Sequence, residues 1–403
     1  MNSKPGLREI HVRAGFPEFL ELPWEAPLAE WRNHTSRLVD VPRGLSRHEV
    51  VFVSYGAAIY ALKEMPPKSA QREYELLLRF EERHLPAVMP VGHALTFTVP
   101  GDGGLTSVLI TRFEESTLPY RVLFLHRGLE RYRERLLDAM AGLLVRLHLA
   151  GVYWGDCSLS NTLFRRDAGE LQAFLVDAET SDMHETLSEG QRRQDLIIME
   201  ENVAGELADV AAQLSLPAGM DADETGPNIR RRYDRLWEEI SREVAIHAGE
   251  RYRIHERVRA LNELGFTVSE VELIPAGEGN HLRMRTIVTD RDYHRRQLHT
   301  LTGIVAGDRQ AAQMMNEINE LRATLAEERG QSVPLSVAAY RWQTERYEPT
   351  VTRLATLEDS DHDAPELYCE VLEHKWFMSE KAQRDVGLDV ALEDFVAHFG
   401  SAT

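Results

Sequence analysis

The spacing of apolar residues divides the chain into a β-rich beginning and a largely helical remainder. Short apolar runs at Val50–Ser54, Ile59–Leu62, His93–Val99 and Leu105–Phe113, separated by turn residues, predict a small antiparallel sheet. From Ser69 to Arg83 the apolar positions recur every three or four residues instead, which predicts an amphipathic helix after the second strand. The first 45 residues contain several prolines and two tryptophans, and we expect an extended lead-in that packs on this region.

Helical spacing dominates after this sheet. A long helix is predicted over Leu129–Leu149, and the next over residues 196–214. The acidic, Pro- and Gly-containing stretch 215–228 is interpreted as a linker. Beyond it the pattern predicts helices at 233–246 and 251–264, strands at 268–274 and 282–289, and helices near 290–301, 308–328, 334–347, 365–379 and 388–399.

One stretch, residues 147–180, carries the candidate chemistry. A helix ends at Gly151, a loop carries Asp156 and Asn161, and two short strands with a turn at 167–169 lead to Asp177. Oxygen ligands such as Asn161 and Asp177 suit Mg²⁺, and Asp156 is placed to accept a proton from a hydroxyl group. The alternative is a turn-rich loop in which Asp, Asn and Ser only cap and turn.

The order D-x-x-x-x-N, apolar strand, Asp resembles the catalytic and metal-binding loops of the protein-kinase-like superfamily. This resemblance implies ATP and Mg²⁺ as cofactors, with Asn161 and Asp177 binding the metal and Asp156 acting as base. It also implies that Lys63, at the end of the second strand, holds the nucleotide phosphates. Only Gly56 stands in the preceding turn, where the family has G-x-G-x-x-G, so cradling of phosphates by this turn remains open.

The same resemblance requires a helix glutamate that pairs with Lys63. Glu73 borders the apolar stripe of the predicted helix, whereas Glu75 shares a face with arginines. Glu73 is therefore the predicted partner, and Glu64 and Glu75 are the alternatives.

The central stretch departs from the protein-kinase pattern. Trp154-Gly155-Asp156 stands where the family has H-R-D, and Asp177-Ala178-Glu179 stands where it has D-F-G. These variants, and the short interval before Asp195, look more like the small-molecule and lipopolysaccharide-kinase branch. Asp195 resembles the aspartate that braces the catalytic loop in such folds, and a helix N-cap is its simpler interpretation. His148, near a helix end, is a catalytic candidate, a capping residue or a residue at the edge of the core.

Net charge, cysteine content and the lengths of the apolar runs argue against several classes of protein. The 403 residues have a net charge of −19, which argues against a main role in binding nucleic acid. Two cysteines provide neither a disulfide framework nor zinc spacing. No run of residues reads as a signal core or a membrane span, so we expect a cytoplasmic protein.

A second resemblance covers the C-terminal half. The strings Tyr252–Arg257, Asp290–Leu298 and Ala339–Trp342 look like the bacterial proteins grouped as domain of unknown function 4032, whose N-terminal part is similar to lipopolysaccharide kinases. The predicted fold is α+β: an N-terminal extension (1–45), a two-lobed kinase-like domain (46–214) and, after the linker, a mostly helical domain (229–403) containing a β-hairpin. Within the kinase-like domain the lobes are 46–113 and 120–214, with a hinge at 114–119.

Three functional hypotheses follow. The first is an ATP- and Mg²⁺-dependent phosphotransferase acting on a sugar, lipid-linked sugar or other small hydroxyl compound. The second is a pseudokinase that senses nucleotide or serves as a scaffold, favoured by the missing glycine loop and by Trp154. The third is a nucleotidyl transferase on the same fold. The C-terminal domain is open to substrate selection, homodimer formation or regulation of the cleft.

Overall fold

The chain forms two units in its computed structural model. The first contains Met1–Arg165 and Ala173–Asp234, and the second contains Arg166–Gln172 and Arg235–Thr403. The residues described are 6–41, 48–97, 104–114, 117–125, 132–168, 170–213, 221–247, 252–263, 266–275, 281–290, 292–329, 331–355 and 363–399.

An antiparallel sheet opens the first unit. Its strands are β1 (Gly6–Val12), β2 (Val50–Tyr55), β3 (Ala58–Met65), β4 (Pro90–Phe97) and β5 (Leu105–Arg112). They lie in the order β1-β4-β5-β3-β2. The four predicted strands are thus confirmed as β2 to β5, whereas most of the predicted turn at 100–104 lies outside the described residues.

The N-terminal residues contribute more than the predicted lead-in. They supply β1, which pairs with β4 at the sheet edge. Phe19, Trp24 and Trp31 are buried with the apolar face of the sheet, and the Trp24 indole donates to the Phe19 carbonyl at 2.8 Å. The expected packing of this segment on the sheet region is thus confirmed, whereas strand β1 was not predicted.

Helix α1 (Pro67–Glu82) follows β3 and packs on β4 and β5. Proline at the first helical position suits the start of a helix, because no intrahelical partner for its missing N–H is required there. Ala70, Glu73, Leu76, Leu77 and Phe80 form the buried face. The predicted helix is confirmed, and Glu73 is the charged residue on its buried side.

The rest of the first unit surrounds two small sheets, β6-β8-β9 and β10-β7, with helices. The predicted hinge includes a strand, β6, that pairs antiparallel with β8 through Thr117 and Arg165. In chain order the elements are β6 (Thr117–Pro119), α2 (Tyr120–Leu125), α3 (Tyr132–Leu149), β7 (Val152–Tyr153), β8 (Thr162–Asp167), β9 (Glu170–Leu175), β10 (Asp182–Met183), α4 (Glu189–Gln213) and α5 (Ala222–Ser241).

The predicted linker is partly helical. Residues 214–220 lie outside the described residues, but α5 begins at Ala222 and continues through Pro227. Asp221 starts this helix, since its side chain accepts from the Asp223 N–H at 2.9 Å. The predicted helix at 233–246 is correspondingly shifted, and its last residues form the strand β11 (Val244–His247). The predicted domain start at 229 therefore falls inside α5.

The second unit contains a three-stranded sheet, ordered β11-β13-β12, followed by helices. The predicted β-hairpin and the helices after it are confirmed, with an additional π-helical segment (Gln343–Tyr347) and the unpredicted α10. Among the helices in the described part of the chain, none combines the length and the hydropathy that a membrane span requires. The elements are α6 (Tyr252–Glu263), β12 (Thr267–Pro275), β13 (His281–Asp290), α7 (Tyr293–Thr302), α8 (Asp308–Arg329), α9 (Leu335–Trp342), α10 (Glu348–Leu354), α11 (Ala364–Ala382) and α12 (Leu388–Phe399).

The second unit takes in the tip of the β8–β9 hairpin. Asp167 at this tip is buried, and its carboxylate accepts from the backbone N–H groups of Arg309 and Gln310 at 3.0 and 2.8 Å. These amides belong to the first turn of α8, so Asp167 caps that helix from a distant part of the sequence. A Cβ on Gly307 would lie 2.3 Å from the carboxylate, which explains glycine there.

The predicted α+β class is confirmed: an N-terminal sheet lobe is followed by a mostly helical C-terminal region.

Candidate active site

A cavity of about 390 Å³ lies in the first unit and collects most of the predicted site residues. Strands β2, β3 and β5 supply one part of its lining, and the segments before β8 and after β9 supply another. Lys63, Glu73, Asp156, Asn161 and Asp177 all line it. Residues more than a hundred positions apart in sequence are therefore brought together as predicted.

Lys63 is the centre of a partly buried ion cluster. Its Nζ lies 2.7 Å from Asp177 Oδ2 and 3.2 Å from Glu73 Oε2. Glu73 Oε1 in turn accepts from the Ala178 N–H at 3.1 Å, so the glutamate joins β3 to the residue that follows Asp177. The predicted choice of Glu73 over Glu75 agrees with this geometry, because the Glu75 side chain accepts from Gln71 instead.

Burial and mutual attraction oppose each other in this cluster. Burial favours the neutral form of Lys63, but the neighbouring Glu73 and Asp177 outweigh it and raise the lysine pKa. Burial raises the pKa of Glu73, and the attraction of Lys63 offsets only part of this effect. The lysine is thus held as a cation that points at Asp177, which is the state required to bind phosphate oxygens.

Asp156 and Asn161 lie on the loop between β7 and β8. The Asn161 amide nitrogen donates to Asp156 Oδ2 at 3.0 Å and to the Asp156 carbonyl at 3.2 Å. Because these bonds use the N–H groups of Asn161, its amide oxygen is the atom left to bind a cation. The loop therefore presents one carboxylate and one amide oxygen to the same cavity.

Asp195 holds the start of this loop. It lies inside α4, which begins at Glu189, so the N-cap interpretation of Asp195 is wrong. Its fully buried carboxylate accepts from the Trp154 and Gly155 N–H groups at 2.7 and 2.8 Å, as the family resemblance implied. Gly155 has φ +80°, and a Cβ there would lie 2.8 Å from the Thr180 carbonyl, which explains the glycine before Asp156.

His148 is part of this support and does not line the cavity. Its Nε2 lies 3.2 Å from Asp195 Oδ2, and its Nδ1 lies 2.8 Å from the Tyr233 hydroxyl. Burial lowers the pKa of His148, although Asp195 acts in the opposite direction. A neutral imidazole that donates to Asp195 and accepts from Tyr233 satisfies all three groups.

Two polar residues of α4 were not predicted. The Asn202 amide donates to Asp156 Oδ1 at 2.9 Å and to the Cys157 carbonyl at 3.2 Å. The Glu206 carboxylate accepts from the N–H groups of Leu159 and Ser160 at 2.8 and 2.9 Å. The available signal was spacing, since Asp195, Asn202 and Glu206 are seven and four positions apart and share one helix face.

Gly56 is not brought to the site. In the β2–β3 hairpin Lys63 pairs with Val50, whereas Gly56 lies in the turn after Tyr55. At about 3.4 Å per strand residue, the turn and Lys63 lie at opposite ends of the hairpin. Gly56 is absent from the cavity lining, so the structure does not place this glycine with the other candidate residues.

The end of the hairpin near Lys63 carries a different residue into the cavity. His48, just before β2, lies 3.0 Å from the Glu179 carboxylate through its Nε2. Glu179 itself lines the cavity and pairs with His48. Residues 42–47, which precede His48 in the sequence, lie outside the described residues.

The donor set fits a magnesium ion held jointly with a nucleotide. Within the described residues no group of three His, Cys, Asp or Glu side chains could hold a metal ion alone. Mg²⁺ commonly takes only one or two carboxylates from the protein and completes its coordination with phosphate and water oxygens. Asp177 and the Asn161 amide oxygen provide hard ligands of this kind in the cavity.

Comparison with known proteins gives two sequence-family matches. Residues 58–215 match the family described as "Lipopolysaccharide kinase (Kdo/WaaP) family". Residues 235–399 match the family described as "Domain of unknown function (DUF4032)". No curated protein matches the sequence.

Several solved structures are similar at low sequence identity. "WaaP in complex with acyl carrier protein" is 14% identical, covering 64% of this chain and 99% of that chain, with a TM-score of 0.37. An aminoglycoside-3'-phosphotransferase of type VIII is 16% identical over 52% and 91% of the two chains, with a TM-score of 0.34. TM-scores of this size are too low to bear on the reaction. By its family matches, the chain joins a lipopolysaccharide-kinase-like segment to a DUF4032 segment, as its sequence predicted.

Proposed function

We propose that the protein is a phosphotransferase that moves the γ-phosphoryl group of ATP to a hydroxyl group of a small molecule, sugar or lipid-linked sugar. The observation that carries the proposal is the joint placement of Lys63, Asp156, Asn161 and Asp177 around one cavity. A phosphate-binding cation, a carboxylate base and two metal ligands are the parts that phosphoryl transfer requires.

Lys63 would bind the nucleotide phosphates in this reaction. It is a cation that already has its position fixed by Glu73, and Glu73 is held by the Ala178 N–H. Preorganisation of this kind lowers the entropy lost when a phosphate group binds. Glu73 is thus assigned to orient Lys63, without contact to the substrate.

Asp156 would act as the base. Its carboxylate accepts the proton of the acceptor hydroxyl while that oxygen forms a bond to the γ-phosphorus, and the bond to the ADP oxygen breaks. The products are the phosphorylated acceptor and ADP, with the proton left on Asp156 until solvent removes it. When bound by Asn161 and Asp177, Mg²⁺ supplies positive charge that offsets the charge on the phosphate oxygens.

The interval after Asp177 supports a small acceptor. Helix α4 begins at Glu189, twelve positions after Asp177, with only the short strand β10 between them. The equivalent interval of protein kinases holds the activation segment that contacts a peptide. A compact hydroxyl compound therefore suits this site better than an extended peptide.

The proposal is tested by binding and product analysis with purified full-length protein. Calorimetry should show ATP binding that depends on Mg²⁺, and Asp177→Ala should abolish this dependence. Asp156→Ala should leave the affinity for MgATP within about threefold and lower turnover by about 10²–10⁴-fold, which is the usual contribution of a general base. Asp182→Asn, an exposed carboxylate that pairs with Arg72, is the matched control and should change neither quantity.

Each rival gives a distinct result. Formation of pyrophosphate instead of ADP would identify nucleotidyl transfer, and nucleotide binding without any turnover across a panel of hydroxyl acceptors would identify a pseudokinase. Unchanged turnover in Asp156→Ala would remove the base from the role assigned to it. Glu73→Gln compared with Glu75→Gln tests the lysine partner, and only the former should weaken ATP binding.

A further inference from the structure

We infer that Asn202 is a positioning residue for the base, holding the Asp156 carboxylate in one orientation; the inference rests on the proposed function. The side chain of Asn202 lies on α4, and its amide nitrogen is 2.9 Å from Asp156 Oδ1. The amide nitrogen of Asn161 is 3.0 Å from the other oxygen, Oδ2. Each carboxylate oxygen thus accepts from a different part of the chain.

Two hydrogen-bond donors fix the orientation of the Asp156 carboxylate, whereas a single donor would leave it able to rotate. The terminal torsion of an aspartate is broad, so a carboxylate held through one oxygen can still rotate about that bond. Asn161 is only five positions from Asp156 on the same loop, so it would move together with the loop. Asn202 contributes a donor from outside the loop, and the two together define the plane of the carboxylate.

Asn202 also holds the backbone beside the base. Its amide nitrogen lies 3.2 Å from the Cys157 carbonyl as well as close to Asp156 Oδ1. One side chain therefore constrains the carboxylate and the peptide that follows it. This double contact uses both N–H groups of the amide, which neither aspartate nor leucine at this position could supply.

The helix face behind Asn202 forms a continuous support for the loop. Asp195 accepts from residues 154 and 155, Asn202 donates to residues 156 and 157, and Glu206 accepts from residues 159 and 160. The three contacts follow the loop in chain order along α4. Met199, Val203 and Leu207 on the same helix are buried, so the backbone that carries Asn202 is packed in place.

The chemistry of an amide suits this position. A lysine would neutralise the carboxylate and weaken it as a base, and a carboxylate would repel it. Asn202 donates without adding charge, so it orients the Asp156 carboxylate without introducing a cation beside it. Since a displacement of about 1 Å in a reacting group can cost roughly a hundredfold in rate, loss of this contact should affect turnover strongly.

The test compares Asn202→Leu and Asn202→Asp, which have nearly the size of asparagine, with the full-length wild-type protein. Both variants should lower kcat by about 100-fold, whereas the MgATP dissociation constant stays within about threefold, because Lys63, Asn161 and Asp177 are unchanged. The matched control is Asn319→Leu, which removes a half-buried amide that donates to the Met315 carbonyl in the second unit. It should leave kcat within about twofold.

A readout that needs no turnover accompanies the kinetics. The side-chain NH₂ signals of Asn202 in a ¹⁵N–¹H spectrum, identified by their loss in Asn202→Leu, should shift in Asp156→Ala and stay in place in Asp182→Asn. If the Asn202 signals do not shift in Asp156→Ala, the inference is overturned. It is also overturned if kcat stays within about threefold of wild type in both Asn202 variants.

Failure of the proposed function and failure of the positioning role of Asn202 give different results. If the wild-type protein turns over no ATP with any acceptor, the proposed function fails and the positioning role falls with it, even where the NMR contact is present. If the wild type is active and the Asn202 variants are equally active, only the role of Asn202 fails. A fall in thermal stability with unchanged kcat would assign Asn202 to the fold alone.

Discussion

Two buried aspartates, one in each unit, each accept hydrogen bonds from two successive backbone N–H groups, but their other neighbours differ. Asp195 accepts from the successive N–H groups of Trp154 and Gly155, and Asp167 accepts from those of Arg309 and Gln310. Asp195 is also within hydrogen-bond distance of the neutral imidazole of His148. Asp167 instead has the carboxylates of Asp308 and Glu366 nearby, and burial together with Asp308 raises its pKa to about 6.

The comparison shows that neighbours outside the hydrogen-bonded pair decide what a buried carboxylate contributes. An additional donor strengthens the anchor at Asp195, which supports the loop of the candidate base. Like charges weaken the anchor at Asp167 when it is ionised, even though its two backbone bonds are of similar length. The first aspartate should therefore be the costlier to remove, and the second should make stability depend on pH.

The largest effect is expected for Asp195→Ala. The substitution leaves the Trp154 and Gly155 N–H groups and the His148 imidazole without a buried acceptor, which should lower the free energy of unfolding by about 4 kcal/mol. Urea denaturation at pH 7 measures this change. Turnover should fall at least tenfold because the Asp156 loop loses its support. A cost below about 1 kcal/mol would contradict the anchoring role.

The second effect concerns pH. The pKa of Asp167 is raised above its unfolded value, so the folded protein binds this proton more tightly than the unfolded chain does. The resulting stabilisation is fully present below about pH 4 and is lost as the pH rises through about 6, a change of about 3 kcal/mol. Unfolding of the wild type and of Asp167→Asn, compared between pH 4 and 7, isolates this contribution. Parallel pH profiles for the two proteins would refute it.

A smaller effect is expected for Asp167→Ala at pH 7. Two N–H groups in the first turn of α8 lose their acceptor, which should cost about 2 kcal/mol in the free energy of unfolding. Because the ionised carboxylate is disfavoured by its neighbours at this pH, the cost should be less than that of Asp195→Ala. The reverse order would show that like charges are not what separates the two sites.

The smallest effect is expected for His148→Leu, which makes Asp195 more like Asp167 by removing its third donor. The Asp195 carboxylate keeps its two backbone donors, so the free energy of unfolding should fall by about 1 kcal/mol. Thermal and urea unfolding measure the change, and Asp195→Ala in the same background should then cost less than in the wild type. Additive costs would show that His148 and Asp195 do not act together.

The sequence alone predicted the parts of the candidate site that depend on residue spacing and helical period. The spacing of Asp156, Asn161 and Asp177 and the helical period around Glu73 were sufficient to predict which side chains meet. The role of Gly56 stayed open because a glycine in a turn gives no information on which end of the hairpin faces the cavity. The Val50–Lys63 pairing gives that information.

Contacts between polar residues that are distant in sequence could not be predicted. Asn202 and Glu206 lie on a helix where polar residues are usually solvated, and only the path of the loop along α4 gives them partners. Asp167 sits in what reads as an ordinary turn, yet it is buried at the start of α8. The helical start of α5 was hidden by Pro227 and its acidic neighbours, which are typical of linkers.

The hairpin between Asn161 and Asp177 limits where the chain can be truncated. Its tip, Arg166–Gln172, belongs to the second unit, although it lies within the segment that matches the kinase family. A fragment ending near residue 215 would lack the α8 N–H groups that donate to Asp167, in the hairpin whose two ends lead to the candidate metal ligands Asn161 and Asp177. The boundary between the two family matches is therefore a poor place to truncate the chain, and recombinant work on the candidate active site should begin with all 403 residues.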